Sequence, residues 1–81
     1  MLVMINVTEQ DIERGERQNC MACPVSLAMS RETGELWEVY ALRAFRVMSR
    51  QPVSFPEPVS NRIRMFDAGG VMRPFSFDVE I

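Results

Sequence analysis

The chain has 81 residues, of which 47% are hydrophobic and 25% charged, and its formal charge is −2. This length suffices for one domain, which we expect to cover residues 1–81. The ordinary composition excludes fibrous and disordered architectures. No apolar run approaches the roughly 20 residues that cross a bilayer. The sequence contains no His and no Lys. Because imidazole bases, Schiff-base lysines and Walker-type phosphate loops are thereby excluded, we expect no enzymatic activity and no cofactor.

The N-terminal segment predicts a strand followed by a short helix. Apolar residues alternate over 2–7, as they do in a strand with one buried face. Thr8 is placed to cap a helix that ends near Arg14. Gly15 follows as an expected left-handed stop.

A loop over 16–23 leads into a second predicted helix. Pro24 suits the first helical position, and Cys23 precedes it as the cap residue. Apolar residues at helical spacing follow, and Gly34 is placed to end the helix. We therefore predict a short, largely buried helix here.

The middle of the chain predicts a strand pair and an extended segment. Residues 36–41 and 44–48 are rich in β-branched and aromatic side chains, which favours two strands of a hairpin or meander. The segment 51–58 contains three prolines, which restricts it to an edge strand or an extended connection.

The C-terminal part predicts a helix and then a strand. Val59, Ile63 and Phe66 have the spacing of one helical face, and two glycines end the pattern at 69–70. Apolar and polar residues alternate over 75–81. With an apolar strand at each terminus, we predict a single α+β domain with a mostly antiparallel sheet. Its N- and C-terminal strands pair, and two or three short helices pack on it.

Cys20 and Cys23 form a Cys-x-x-Cys pair just before a predicted helix. Two cysteines packed at a helix start are the favoured interpretation, because a buried thiol behaves as a small hydrophobic group. A disulfide or redox pair is a second interpretation. A zinc site is a third, but two thiolates leave two of the four ligand positions to be filled by a second copy or by carboxylates.

Four arginines are candidate contacts for an anion or a protein partner. Arg14 and Arg17 flank the loop that enters the second helix, where a helix N-terminus and guanidinium groups could hold a phosphate or a carboxylate. Arg43 directly precedes the predicted strand 44–48 and Arg46 lies in it, so strand alternation would place the two on opposite faces, where they could contact a partner.

The central strands carry the aromatic candidates. Trp37 and Tyr40 are residue types that dominate binding surfaces, whereas Phe45 is expected in the core. Because neighbouring strand residues point to opposite faces, one of Trp37 and Tyr40 is expected to be exposed as a contact.

The charge is unevenly distributed along the chain. Residues 1–40 carry seven acids and three arginines, and residues 41–81 carry four acids and six arginines. A mixed solvated surface explains this pattern, and a two-faced surface for a protein partner is the functional interpretation. The basic charge is too sparse for nucleic-acid binding to be expected.

Two blocks of the sequence resemble a group of small tailed-phage and prophage proteins. The N-terminal block consists of Val7-Thr8, Asp11-Ile12, Gly15, Cys20, Cys23-Pro24-Val25 and Leu27-Ala28. The C-terminal block consists of Phe66-Asp67-Ala68-Gly69 and Pro74-Phe75-Ser76-Phe77. The resemblance implies a phage origin and a site of action in the bacterial cytoplasm, where a reducing environment keeps both cysteines as thiols unless they bind metal. It implies no particular activity.

The function expected from these observations is binding. The leading hypothesis is a phage accessory protein that binds and inhibits a bacterial host or defence-system component, with a homodimer as a further expectation because small cores and free strand edges are relieved by association. A nucleotide-binding or nucleotide-sequestering protein is one alternative, and a zinc-stabilised dimeric interaction module is another. No membrane partner is expected.

Overall fold

The first and last strands of the chain pair with each other. In a computed structural model that describes all 81 residues, β1 (Leu2–Val7) and β5 (Phe75–Glu80) form a two-stranded antiparallel sheet. Ile5 lies opposite Phe77, and both side chains point into the core, as the alternation predicts. The predicted pairing of the termini is confirmed.

A capping box starts helix α1 (Glu9–Arg14). The Thr8 hydroxyl accepts a hydrogen bond from the Asp11 backbone N–H, and the Asp11 carboxylate accepts one from the Thr8 N–H. The predicted left-handed stop at Gly15 is wrong, because Gly15 has an extended backbone with φ −69°. A side chain at this position would collide with the Pro24 ring, so close packing is what requires glycine here.

Helix α2 (Pro24–Thr33) begins and ends as predicted. The Cys23 Sγ accepts a hydrogen bond from the Ser26 N–H at 3.4 Å, and Pro24 occupies the first turn. Gly34 ends the helix in the left-handed region with φ +75°.

The middle of the chain forms a separate antiparallel sheet in the order β2 (Trp37–Val39), β3 (Arg43–Arg46) and β4 (Pro52–Ser54). These strands are shorter than predicted because the flanking residues form the turns that connect them. Strand β4, which carries the first of the three prolines, lies at a sheet edge, as expected for such a segment.

Helix α3 (Glu57–Asp67) buries the predicted face of Val59, Ile63 and Phe66. Seventeen buried hydrophobic residues from both sheets and the helices form one core cluster. The rings of Phe55 and Phe77 meet edge to face, with centroids 5.7 Å apart, and thereby join the two sheets. The α+β class is confirmed, and the antiparallel strands are divided between two sheets. The three helices all lack the length and hydrophobicity of a membrane-spanning segment.

Candidate binding surface

The three-stranded sheet has an inner face in the core and an outer face toward solvent. Antiparallel register places Glu38 opposite Phe45 and Arg43 opposite Ser54. Because side chains alternate along a strand, these residues share the face opposite the buried Trp37. We define the outer face by Glu38, Tyr40, Leu42, Arg43 and Phe45.

Two exposed apolar residues of the β2–β3 turn extend this face. Tyr40 is 45% exposed and Leu42 is 56% exposed. The Tyr40 and Phe45 rings meet edge to face at 6.0 Å between centroids. Phe45, expected in the core, is half-buried and contributes to the surface instead.

Polar contacts order the outer face. The Tyr40 hydroxyl donates to Glu38 Oε2 at 3.0 Å, and Arg50 Nη1 donates to Glu38 Oε1 at 2.6 Å. The Arg50 guanidinium also lies 5.3 Å from the centroid of the Phe45 ring. Tyr40 and Phe45 are therefore held in place by contacts within the chain.

A groove of about 390 Å³ runs beside the two aromatic rings. It is lined by Tyr40, Ala41, Leu42, Arg43, Phe45 and Arg64. Four of these six residues are hydrophobic, and the two arginines form no ion pair with any acid of the chain. The groove thus offers apolar contact area together with two uncommitted positive charges.

Tyr40 also lines a second cavity, of about 290 Å³, that contains both cysteines and Asp67. The Cys20 thiol beside the phenol and the Glu38 carboxylate raise the pKa of Tyr40 to about 12. Burial raises the pKa of the Cys23 thiol, which disfavours the thiolate form that acts as a nucleophile. No three Cys, Asp or Glu side chains lie in an arrangement that could hold a metal ion.

Trp37 faces the core, so the prediction that it is a candidate contact is wrong. Its side chain is 0% exposed, and its Nε1 donates to Thr33 Oγ1 at 2.8 Å. Of the two aromatic candidates, Tyr40 is the exposed one. A large indole is more useful to an 81-residue core than to its surface.

Arg46 lies on the face opposite Arg43, as the strand alternation predicts. Its guanidinium is 5.3 Å from the centroid of the Trp37 ring, and its Nε is 3.5 Å from Glu35 Oε2. This Nε is buried and makes no hydrogen bond, because the contact with Glu35 has ion-pair distance without hydrogen-bond geometry. Arg46 therefore covers the core at the sheet's inner side and does not contribute to the outer face.

Arg17 has a structural position that differs from the predicted anion pocket. Its Nη1 donates to the Phe66 and Gly70 carbonyl oxygens, and its guanidinium lies 4.3 Å from the centroid of the Phe66 ring. It thus occupies the C-terminal end of α3. Arg14 is exposed and makes no ion pair, and the structure does not bring it together with Arg17 in a shared site.

Leu42 and Arg64 were absent from the sequence-derived candidates. Leu42 lies in a turn between two predicted strands, where an isolated leucine has no distinguishing pattern. Arg64 is 21 positions beyond Arg43 and reaches the groove only through the packing of α3. A tertiary juxtaposition of this kind leaves no local sequence pattern.

A further groove of about 370 Å³ lies along α3 and the segment after it. It is lined by Pro58, Arg62, Met65, Val71, Met72 and Arg73. The Arg62 guanidinium lies 4.6 Å from the centroid of the Phe75 ring. Neither arginine of this groove forms an ion pair within the chain.

No protein-family model matches the sequence, and no curated protein or solved structure is significantly similar to it.

Proposed function

We propose that this chain is a non-enzymatic phage accessory protein that binds and inhibits a component of the bacterial host or of its defence systems. The phage origin rests on the sequence resemblance, and the binding role rests on the outer face. The observation that carries the binding role is the exposure of Tyr40 and Leu42 beside an apolar groove. Exposed apolar area next to aromatic anchors is the usual centre of a protein interface.

Binding without catalysis is supported by the inventory of reactive groups. The chain has no His and no Lys, and nine arginines that stay protonated cannot shuttle protons. The raised pKa of the buried Cys23 thiol makes it a weak nucleophile at neutral pH. The reactive groups that remain are the carboxylates and the partly exposed Cys20 thiol, none of which has a histidine or lysine side chain beside it.

Recognition through side chains of the outer face is favoured over addition of a strand to an edge of the three-stranded sheet. At the β2 edge, the Val39 N–H already donates to the Cys20 carbonyl oxygen at 2.7 Å, and the Trp37 carbonyl accepts from Ser26 Oγ at 2.9 Å. Strand β4 at the other edge has only three residues and begins with Pro52. Short edges and proline discourage pairing with another strand.

The order of the outer face favours tight binding. Tyr40 is held by Glu38, and Glu38 is held by Arg50. Because these side chains are already held in the free protein, they lose less conformational entropy when a partner binds. Tyrosine held in this way is a common energetic anchor of interfaces.

A comparative affinity purification tests the binding role. The tagged protein and two variants are incubated with bacterial lysate: L42D changes the outer face, and M48D changes a 91% exposed methionine outside it. We expect a host protein that is captured by the wild type and by M48D, and whose recovery with L42D falls at least about tenfold, because burying an aspartate without a partner is strongly unfavourable. Equal recovery with L42D would refute the assignment of the face.

A plating assay tests the inhibitory role. The three proteins are produced in bacterial strains that carry individual defence systems, and each strain is then challenged with a phage that the system restricts. We expect the wild type and M48D to raise plating efficiency on at least one strain and L42D to fail. If the wild type restores plating on no strain and impairs growth of no host, inhibition is refuted even where binding is observed.

One observation favours the alternative of a small-ligand binder. Arg62 and Arg73 line an apolar groove with their positive charges free of ion pairs, which suits an anion such as a nucleotide phosphate. Native mass spectrometry of the purified protein before and after denaturation tests this role. A released nucleotide whose retention is lost in the variant R62Q/R73Q would support it, and a protein that carries no such mass would count against it.

A further inference from the structure

The charges around the groove indicate what kind of protein segment it receives. We propose that the groove beside Tyr40 binds an acidic segment of the partner in which an apolar side chain is flanked by carboxylates. This inference rests on the proposed binding role of the outer face and specifies its partner. The apolar side chain would lie against Leu42 and Phe45, and the carboxylates would meet Arg43 and Arg64.

The two groove arginines are not paired with any acid of the chain, a property that they share with Arg14, Arg62 and Arg73. Arg31, Arg46 and Arg50 each lie within 4 Å of an acid of the chain. Arg17 donates to two backbone carbonyls. Arg43 and Arg64 have no such partner, and both line one groove. An incoming carboxylate can accept two parallel hydrogen bonds from a guanidinium of this kind.

The apolar part of the groove specifies the rest of the segment. Tyr40, Ala41, Leu42 and Phe45 supply its hydrophobic lining. Its volume of about 390 Å³ is near the lower end of the range of about 300–1,000 Å³ for ligand pockets. That space suits one or two side chains of a peptide and leaves the partner's carboxylates at the rim.

A protein segment fits this surface better than a nucleic acid. The groove has only two arginines beside four hydrophobic residues, and the nearby Glu38 carboxylate is already paired with Arg50. The chain as a whole is negative, with a formal charge of −2. Nucleic-acid surfaces instead present a continuous basic patch.

A peptide selection tests the inference. A bead-displayed library of random dodecapeptides is sorted against the wild type and two double variants. R43Q/R64Q removes the groove charges, and R62Q/R73Q removes two charges from the other groove as a matched control. Circular dichroism and the emission of the single, buried Trp37 verify the fold of each variant.

We expect the wild type to select peptides with Asp or Glu beside aromatic or aliphatic residues. For a selected peptide, R43Q/R64Q should lower the affinity about tenfold and R62Q/R73Q should leave it unchanged, as the loss of two interfacial ion pairs implies. Substituting Asn and Gln for the peptide's acids should lower wild-type affinity by a similar factor.

Three results would overturn the acidic assignment. The selected peptides could lack acidic residues, or R43Q/R64Q could bind a selected peptide as tightly as the wild type does. The wild type could also bind a fluorescein-labelled dT12 oligonucleotide more tightly than it binds the selected peptides. The lysate experiment distinguishes failure of the acidic assignment from failure of the proposed binding role of the outer face. If L42D still loses the host protein while R43Q/R64Q retains it, the outer face binds a partner that is not acidic. If L42D also retains the host protein, both proposals fail.

Discussion

The guanidinium of Arg17 lies 4.3 Å from the centroid of the Phe66 ring. The same group donates to backbone carbonyls at the end of α3, including that of Gly70 at 2.9 Å. A positive charge at a helix C-terminus interacts favourably with the helix dipole and satisfies carbonyls that have no helical partner. Together with the Gln18 N–H, which donates to Asp67 Oδ1 at 2.9 Å, Arg17 attaches the loop before α2 to the end of α3.

Replacing Arg17 should therefore destabilise the fold. We expect R17A to lower the free energy of unfolding by about 2 kcal/mol, since charged hydrogen bonds and a cation–π contact are lost together. R14A removes an exposed arginine without an ion pair and should change stability by less than about 0.5 kcal/mol. Urea denaturation followed by Trp37 emission measures both values. Equal effects of the two variants would show that Arg17 has no special structural role.

Gly15 is expected to tolerate no side chain. A Cβ at this position would lie 2.5 Å from Pro24 Cδ and Cγ and 2.7 Å from the Pro24 backbone nitrogen. Because the proline ring and backbone cannot rotate away, we expect G15A to destabilise the protein by about 3 kcal/mol.

Gly34 supplies the matched control for this substitution. Its φ is +75°, but a Cβ there meets nothing within 4 Å. G34A should therefore cost only the left-handed backbone strain, about 1–2 kcal/mol. Thermal and urea unfolding of both variants provide the comparison. A G15A protein as stable as G34A would contradict the close packing of Gly15 on Pro24.

The single tyrosine should ionise at unusually high pH. The Cys20 thiol and the Glu38 carboxylate raise the pKa of Tyr40 to about 12, whereas a free phenol ionises near pH 10. An ultraviolet titration of phenolate absorbance reports this group alone, because the chain has one Tyr. The double variant C20A/E38Q should move the midpoint back toward about 10. A wild-type midpoint already near 10 would exclude these contacts in solution.

This titration also has a consequence for stability. The folded state favours the neutral phenol more than the unfolded state does. The contribution of Tyr40 is therefore fully present below pH 10 or so, and it is lost as the pH rises through about 12. The midpoint of urea unfolding should fall over this range by more in the wild type than in C20A/E38Q.

The elements that the sequence predicts well are those with local causes. The alternation in β1 and β5, the Cys23–Pro24 helix start and the Gly34 stop each depend on neighbouring residues, and the structure has all of them. The predicted left-handed stop at Gly15 is wrong because glycine is required in two situations, where the backbone is left-handed and where another residue packs too closely for a side chain. Only the position of Pro24 in three dimensions distinguishes the two uses.

The candidate surface was less predictable because it depends on contacts between distant parts of the chain. Arg17 is an exposed-looking loop residue in the sequence, and its partner Phe66 is 49 positions away. Arg43 and Arg64 come from a strand and a helix that meet only in the folded chain. Tyr40 could be proposed from its residue type, whereas choosing it over Trp37 required knowing which sheet face is buried.

Site-specific photo-crosslinking would locate the partner on the molecule directly. A benzophenone amino acid is placed at Leu42 on the outer face or at Met48 outside it, and each protein is irradiated in the bacterial host. If the outer face binds the partner, the protein labelled at Leu42 should give one dominant crosslinked host protein, and the protein labelled at Met48 should give little of it. Strong crosslinking from Met48 with none from Leu42 would place the interface elsewhere and reject the outer face as the functional surface.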